Sequence, residues 1–193
     1  MTAVMAPALQ VEHWLNTDTA ISLEELRGRV VFVEAFQMLC PGCVSHGLPQ
    51  ASRVAETFCG DDVVVLGLHS VFEHHAAQGG RDALAAFLHE YRIRFPVGID
   101  TPAPGGNVPR TMAAYRLRGT PTSILIDRRG RLRGQHFGRV GDMALGAEIM
   151  ALVRDDAGRE FGQPPDDADA RSRRCDDDGC RIPDRNHETG RRG

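Results

Sequence analysis

Apolar positions along this chain come in two forms, short unbroken blocks and longer stretches repeating every three to four residues, and the two forms alternate. The first block, Val30-Val31-Phe32-Val33-Glu34-Ala35-Phe36, is rich in β-branched and aromatic residues with one charge, which predicts a strand covered on both faces of a sheet. Residues 44–58 place Val44, Leu48, Ala51, Val54, Ala55 and Phe58 near a 3.6-residue period, predicting a helix that Pro49 should kink. A second buried block, Val63-Val64-Val65-Leu66-Gly67-Leu68, predicts another strand, followed by a polar loop bearing His69, His74 and His75. Residues 81–91 read as a helix and Phe95-Pro96-Val97-Gly98-Ile99 as a short strand. A Pro- and Gly-rich loop over 101–109 leads to a helical pattern over 110–117 that ends at Gly119. Ser123-Ile124-Leu125-Ile126-Asp127, the turn Arg128-Arg129-Gly130 and the run over 132–138 form a hairpin signature with Pro121 at its entrance. Met143, Leu145, Ile149, Leu152 and Val153 define a last helix over 143–154.

Strand and helix in alternation, ending in a hairpin, make this an α/β domain with a mixed central sheet flanked by helices. Ser22 with Glu25 supplies a capping box for a short turn closed by Gly28. The domain is expected over 14–154, with an N-terminal extension over 1–13. From residue 155 onward Asp, Arg, Pro and Gly replace nearly all apolar residues, so 155–193 is expected to be a disordered tail. No internal repeat is visible.

At 193 residues and 41% hydrophobic content the chain is long enough for one sizeable core. The formal net charge of -3 offers no global basic field for a phosphate backbone, so nucleic acid is not an expected partner. All 23 basic residues are Arg, which reads as compositional bias rather than a binding device. The first twelve residues lack the charged start and apolar stretch of a signal peptide, and nothing approaches the ~20 apolar residues that span a bilayer. A cytoplasmic location without membrane attachment is therefore expected. Five cysteines in a chain of this size fit chemistry better than a disulfide framework.

Cys40-Pro41-Gly42-Cys43 sits where the first strand hands over to a helix. Thiol–disulfide exchange needs one thiolate to attack and a second thiol near enough to resolve the mixed disulfide. The helix N-terminus favours negative charge on Cys40, and the turn brings Cys43 within disulfide reach. Half of a zinc site has the same spacing, but Cys59 stands alone and Cys175 and Cys180 lie in the tail. With His187 nearby, that tail pair reads as a metal clip, an accessory redox pair or two idle thiols. Cys59 reads as a small buried hydrophobe. His69, His74 and His75 read better as a solvated loop than as a metal site, and His46 either influences the thiols or lies on the surface.

The segment Arg27-Gly28-Arg29-Val30-Val31-Phe32-Val33-Glu34-Ala35-Phe36, the CPGC, the Gly119-Thr120-Pro121-Thr122 turn and Ile124-Leu125-Ile126-Asp127-Arg128-Arg129-Gly130 resemble the TlpA-like branch of the thioredoxin superfamily, of the redoxin (AhpC/TSA-like) kind. The resemblance covers roughly residues 14–154 and implies a thioredoxin-like fold acting as a thiol–disulfide oxidoreductase. It implies a cis bond before Pro121, facing the cysteines, and a Thr120 backbone that hydrogen-bonds the substrate chain beside Pro41 and Gly42. Glu34, six residues before Cys40, resembles the buried acid of thioredoxins and is expected to trade a proton with Cys43. The partners implied are protein or small-molecule thiols and disulfides and a thiol reductant such as a thioredoxin or glutathione system. No cofactor or metal is required.

Two positions depart from the pattern: Leu39 stands where the family usually has Trp, and Pro41-Gly42 is an uncommon pair that leaves the redox direction open. A cytoplasmic location would favour a reductant. A second reading is a peroxiredoxin-like peroxidase using Cys40, although Gln37 stands where that family places Thr or Ser. A third is a non-catalytic thioredoxin-like binding module.

Overall fold

The computed structural model describes residues 4–58 and 62–155, together with the backbone of 175–176 and 179–180. The chain divides into two units, Met1–Asp156 and Ala157–Gly193.

The first unit is built on strand β2 (Val30–Phe36), all seven residues of which are buried. It pairs in parallel with β3 (Val63–His69) and antiparallel with β5 (Thr122–Ile126). Beyond β3 lies β4 (Val97–Asp100), also parallel; β1 (Val11–Leu15) and β6 (Leu132–Phe137) close the two ends antiparallel to β4 and β5. The sheet is mixed and six-stranded, in the order β1-β4-β3-β2-β5-β6. Its principal helices are α1 (Leu48–Thr57), α3 (Arg81–Glu90) and α5 (Asp142–Arg154), with short α2 (His75–Gln78) and α4 (Arg110–Ala114) between strands.

Successive side chains of a strand point to opposite faces, so β2 feeds two cores. Val30, Phe32 and Phe36 join Leu48, Ala51, Leu84, Leu88 and Ile149 on one side. Val31, Val33 and Ala35 join Leu66, Leu68, Tyr115, Ile124 and Ile126 on the other. Glu34 shares the parity of Phe32 and Phe36, which carries its carboxyl into the first core, on the side of the helix that follows the cysteines.

Several details differ from the sequence expectations. The stretch assigned to an N-terminal extension over 1–13 contains the start of β1, and Met5 bridges to Arg131. Its apolar pattern is too short to announce a strand, and its partner β4 lies over eighty residues away. His69 is the last residue of β3 and 1% exposed, so it does not belong to a solvated loop. It pairs with Phe36 in register, with the two rings 5.3 Å apart, and burial pushes its pKa down to about 4, leaving the ring neutral. His74 and His75 are exposed. The helical pattern over 110–117 forms only the five-residue α4, because Arg116 adopts a left-handed backbone (φ 53°) and Leu117 N–H turns back to the Met112 carbonyl at 3.0 Å. Asp100 accepts hydrogen bonds from the Thr111 and Met112 amides at 2.8 and 3.0 Å, pinning the start of α4 to the sheet. The Ser22–Glu25 capping box forms as expected, with Glu25 N–H donating to Ser22 Oγ at 3.3 Å and Ser22 N–H to Glu25 Oε2 at 3.2 Å.

In the second unit β7 (Cys175–Asp176) and β8 (Gly179–Cys180) pair antiparallel, with Cys175 opposite Cys180. This short hairpin departs from a wholly disordered tail. The rest of the expected tail, and Cys59, lie outside the described residues.

Candidate active site

Beyond β2 the chain runs through Gln37, Met38 and Leu39 to Cys40. Gln37 is buried, and its Oε1 accepts from the amides of Phe72 and Glu73 and from Gln78 Nε2 at 3.0 to 3.3 Å. Gln78 Oε1 in turn accepts from the Leu39 amide at 3.1 Å. These two glutamines fasten the segment before Cys40 to the loop after β3. Sequence reasoning missed them as site residues; a Gln ending an apolar strand was the available signal for Gln37, whereas Gln78 gave none.

Residues 41 and 42 are already helical, and Val44 N–H donates to the Cys40 carbonyl at 3.1 Å. Cys40 thus occupies the cap position and Pro41 the first helical position, where its missing N–H costs nothing. The Cys43 N–H donates to Cys40 Sγ at 3.3 Å, so the sulfur takes the place of the oxygen of an ordinary N-cap. Both cysteines are free thiols, but their surroundings differ. Cys40 is half-buried; Cys43 is 0% exposed within the first core. Burial, reinforced by the hydrogen bond with Cys40, pushes the Cys43 thiol up to about 12.

From Cys43 to Gly47 the helix widens to a π turn, with the Leu48 amide bonding back five residues to the Cys43 carbonyl. The widened turn stands immediately before Pro49, which has no amide proton to give the preceding turn. It sets Gly47 directly over Glu34 and Pro121. A Cβ at position 47 would press on Glu34 Oε1 and lie 2.9 Å from Pro121 Cβ. Gly47→Ala is therefore expected to destabilise the fold by roughly 1–3 kcal/mol through overpacking. Urea denaturation should show a lower midpoint at unchanged slope; an unchanged midpoint would mean the site is looser than its packing indicates.

The Thr120–Pro121 peptide is cis and brings this loop against the cysteine turn. Gly42 approaches Pro121 so closely that a Cβ there would lie 3.3 Å from Pro121 Cδ, and Cys40 Sγ donates to the Thr120 carbonyl at 3.5 Å. Beneath them Glu34 is 0% exposed. Ser123 Oγ donates to Glu34 Oε2 at 2.7 Å, while Oε1 has no hydrogen-bond partner. Desolvation, only partly opposed by the Ser123 hydrogen bond, raises the Glu34 carboxyl from 4.5 to about 7. Glu34 makes no hydrogen bond to Cys43 among the described residues. His46 Nε2 lies 3.3 Å from the Val140 carbonyl, which also accepts from Gln50 Nε2 at 2.9 Å, so His46 tethers the helix to the loop before α5.

The seven residues singled out from sequence, Glu34, Cys40, Pro41, Gly42, Cys43, Thr120 and Pro121, thus lie around one point at the end of β2. Among the described residues no group of three His, Cys, Asp or Glu side chains converges on a metal position.

Comparison with known proteins gives this arrangement a family. Residues 3–135 match the AhpC/TSA family. A solved thioredoxin-like superfamily protein is 56% identical with a TM-score of 0.78, covering 81% of this chain and 100% of its own. A thiol-disulfide isomerase from Corynebacterium glutamicum is 49% identical with a TM-score of 0.74, covering 78% of this chain and 97% of its own. The thiol-disulfide oxidoreductase ResA of Halalkalibacterium halodurans is 27% identical over 138 residues, 72% of this chain and 70% of ResA. The chain spans 22% of the length of the mycobacterial DipZ proteins it also matches at 27% identity. With a thioredoxin-like fold shared with these structures and a family match over residues 3–135, the chain belongs to the AhpC/TSA family.

Proposed function

We propose that the protein exchanges disulfides with protein or small-molecule substrates through the Cys40–Cys43 dithiol, Cys40 attacking and Cys43 resolving. The observation that carries this reading is the asymmetry of the pair: Cys40 is within reach of solvent beside the cis Pro121, whereas Cys43 is sealed in the core. In the reducing direction the Cys40 thiolate attacks one sulfur of a substrate disulfide, forming a mixed disulfide and releasing the other sulfur as a thiolate. Cys43, once deprotonated, attacks Cys40 Sγ, which releases the second substrate thiol and leaves a Cys40–Cys43 disulfide; two electrons have passed to the substrate. A thiol reductant of the thioredoxin or glutathione kind restores the dithiol. Pro41, Gly42 and the Thr120 backbone line the approach of the substrate chain. Glu34 takes and returns the Cys43 proton. Its raised pKa near neutrality suits both directions of transfer.

The reading includes a cytoplasmic location and a reducing role. Among the described residues no helix is long and apolar enough to cross a membrane. Thiol alkylation across defined redox buffers, resolved cysteine by cysteine by mass, tests the whole. A Cys40–Cys43 disulfide with a midpoint near about −270 mV is the expected result for a reductant; one above about −180 mV would turn the direction to oxidation or isomerisation. If the disulfide never forms and peroxide instead converts Cys40 to a sulfenic acid, exchange is the wrong chemistry and a peroxidase takes its place. An unreactive Cys40 would leave only a binding module.

A further inference from the structure

Beside the site lies a groove that exchange chemistry does not require. A cavity of about 370 Å³ opens next to the cis-Pro loop, lined by Arg116, Arg118, His136, Phe137 and Arg139 along with Thr122. Its link to the cysteines is short. Arg118 stands two residues before Thr120, whose carbonyl meets Cys40 Sγ, and Gly138 N–H donates to the Pro121 carbonyl at 2.9 Å.

The charge of this groove is one-sided. Arg116, Arg118 and Arg139 are all exposed, and none of them forms an ion pair among the described residues. No carboxylate lines the cavity; Glu148 is held by the lining residue His136, whose Nε2 lies 2.7 Å from its Oε2. Elsewhere in the domain Arg53, Arg128, Arg131 and Arg133 pair with aspartates. In a chain that is acidic at -3 overall, what marks the groove is that three guanidiniums without an ion pair line one cavity whose lining holds no carboxylate. Phe137 adds an apolar element. It is 49% exposed, packs flat enough over Gly119 that a Cβ there would lie 2.9 Å from its ring, and carries the Arg118 guanidinium 5.2 Å from its centroid. Stacking holds Arg118 extended over the groove while leaving its hydrogen-bond donors free for a planar carboxylate.

We infer that this groove selects disulfide-bearing polypeptides whose residues beside the reacting cysteine are rich in Asp or Glu. The inference rests on the exchange reading above and specifies its substrate. The carboxylates of the bound segment face the three guanidiniums while its disulfide lies over Cys40. Phe137 covers the segment's backbone. The chemistry is that of the proposed cycle: the peptide disulfide gains two electrons and the Cys40–Cys43 dithiol loses them.

The test uses the full chain in its reduced form and three synthetic peptides with one internal disulfide, identical except for three Glu, three Gln or three Lys next to one cysteine. Single-turnover reduction is followed by acid quench and mass. Exposed ion pairs each contribute about twofold, so the Glu peptide should react about tenfold faster than the Gln peptide at low ionic strength and the Lys peptide more slowly still. The preference should shrink as salt rises from 50 to 500 mM. In the triple variant Arg116→Gln, Arg118→Gln, Arg139→Gln the Glu-to-Gln rate ratio should fall toward one. Equal rates for all three peptides, or a ratio the triple variant leaves untouched, overturns the inference while exchange itself stands. If none of the peptides is reduced, the exchange reading has failed, and the inference with it.

Discussion

A Cys43→Ser variant is expected to stop halfway through the cycle, carrying a substrate covalently bound to Cys40. The mixed disulfide forms at the accessible sulfur, but the group that should cleave it is gone, because among the described residues Cys43 is the only thiol placed against Cys40. Intramolecular attack from a fixed position acts at very high effective concentration, so its loss should slow turnover by on the order of 10³-fold or more even with millimolar external thiol. Intact-mass measurement after mixing with an oxidised peptide should show the adduct accumulating. Cys40→Ser should neither turn over nor trap, because the buried Cys43 cannot be reached by a substrate sulfur. If trapping instead follows Cys43 in the Cys40→Ser background, the roles of the two cysteines are reversed.

The second large effect concerns Glu34 and the dependence of stability on pH. In the unfolded chain the carboxyl ionises near 4.5; in the native protein it does so near 7. Below pH 4.5 both states hold the proton and the residue contributes no difference. As pH rises from 4.5 to 7 the unfolded state is increasingly favoured by ionising, and above 7 the penalty is complete. A shift of this size corresponds to about 3 kcal/mol. His69 acts with the opposite sign: its pKa falls from 6.5 to about 4, so it destabilises the native state as pH falls through that window. In wild type the two slopes largely cancel between pH 4.5 and 6.5. The informative quantity is therefore the difference between wild type and Glu34→Gln. That difference should shift in favour of the variant by up to about 3 kcal/mol between pH 4 and 8, read from urea midpoints. The exchange rate of Glu34→Gln should lose any inflection near pH 7. A parallel stability curve would place the Glu34 carboxyl in a wetter site than its burial indicates; an unchanged rate profile would remove it from proton transfer.

The two cysteines of the site could be read from the chain by a local rule, and the residues around them through the family resemblance that their local features carry. Cys40 and Cys43 mark a strand-to-helix junction, Pro121 stands at the mouth of a hairpin, and Glu34 is the only charge in a block whose parity is set by its neighbours. What escaped depends on partners distant in sequence. β1 exists because β4 offers it an edge. His69 is buried because β3 stays paired with β2 to its last residue, which no polarity pattern shows. The Gln37–Gln78 pair joins residues forty-one apart. The widened turn before α1 stands next to Pro49, which announces a break in the helical hydrogen bonds but not its form. The arginines of the groove come from two segments that meet only when β5 and β6 fold back on each other.

That widened turn also limits how the active-site segment can be exchanged between related proteins. A π turn holds one residue more than an α turn, and each residue of a helix advances it by about 100°. Removing one residue between Cys43 and Gly47 would restore ordinary geometry and leave α1 behind it in phase. Winding the same number of residues as an ordinary α turn would instead rotate α1, and Leu48, Ala51 and Val54, now packed in the first core, would swing away from the sheet. A graft that takes only the CPGC tetrapeptide preserves this phase. One that replaces the segment through Gly47 must keep the widened turn together with its extra residue, or lose both.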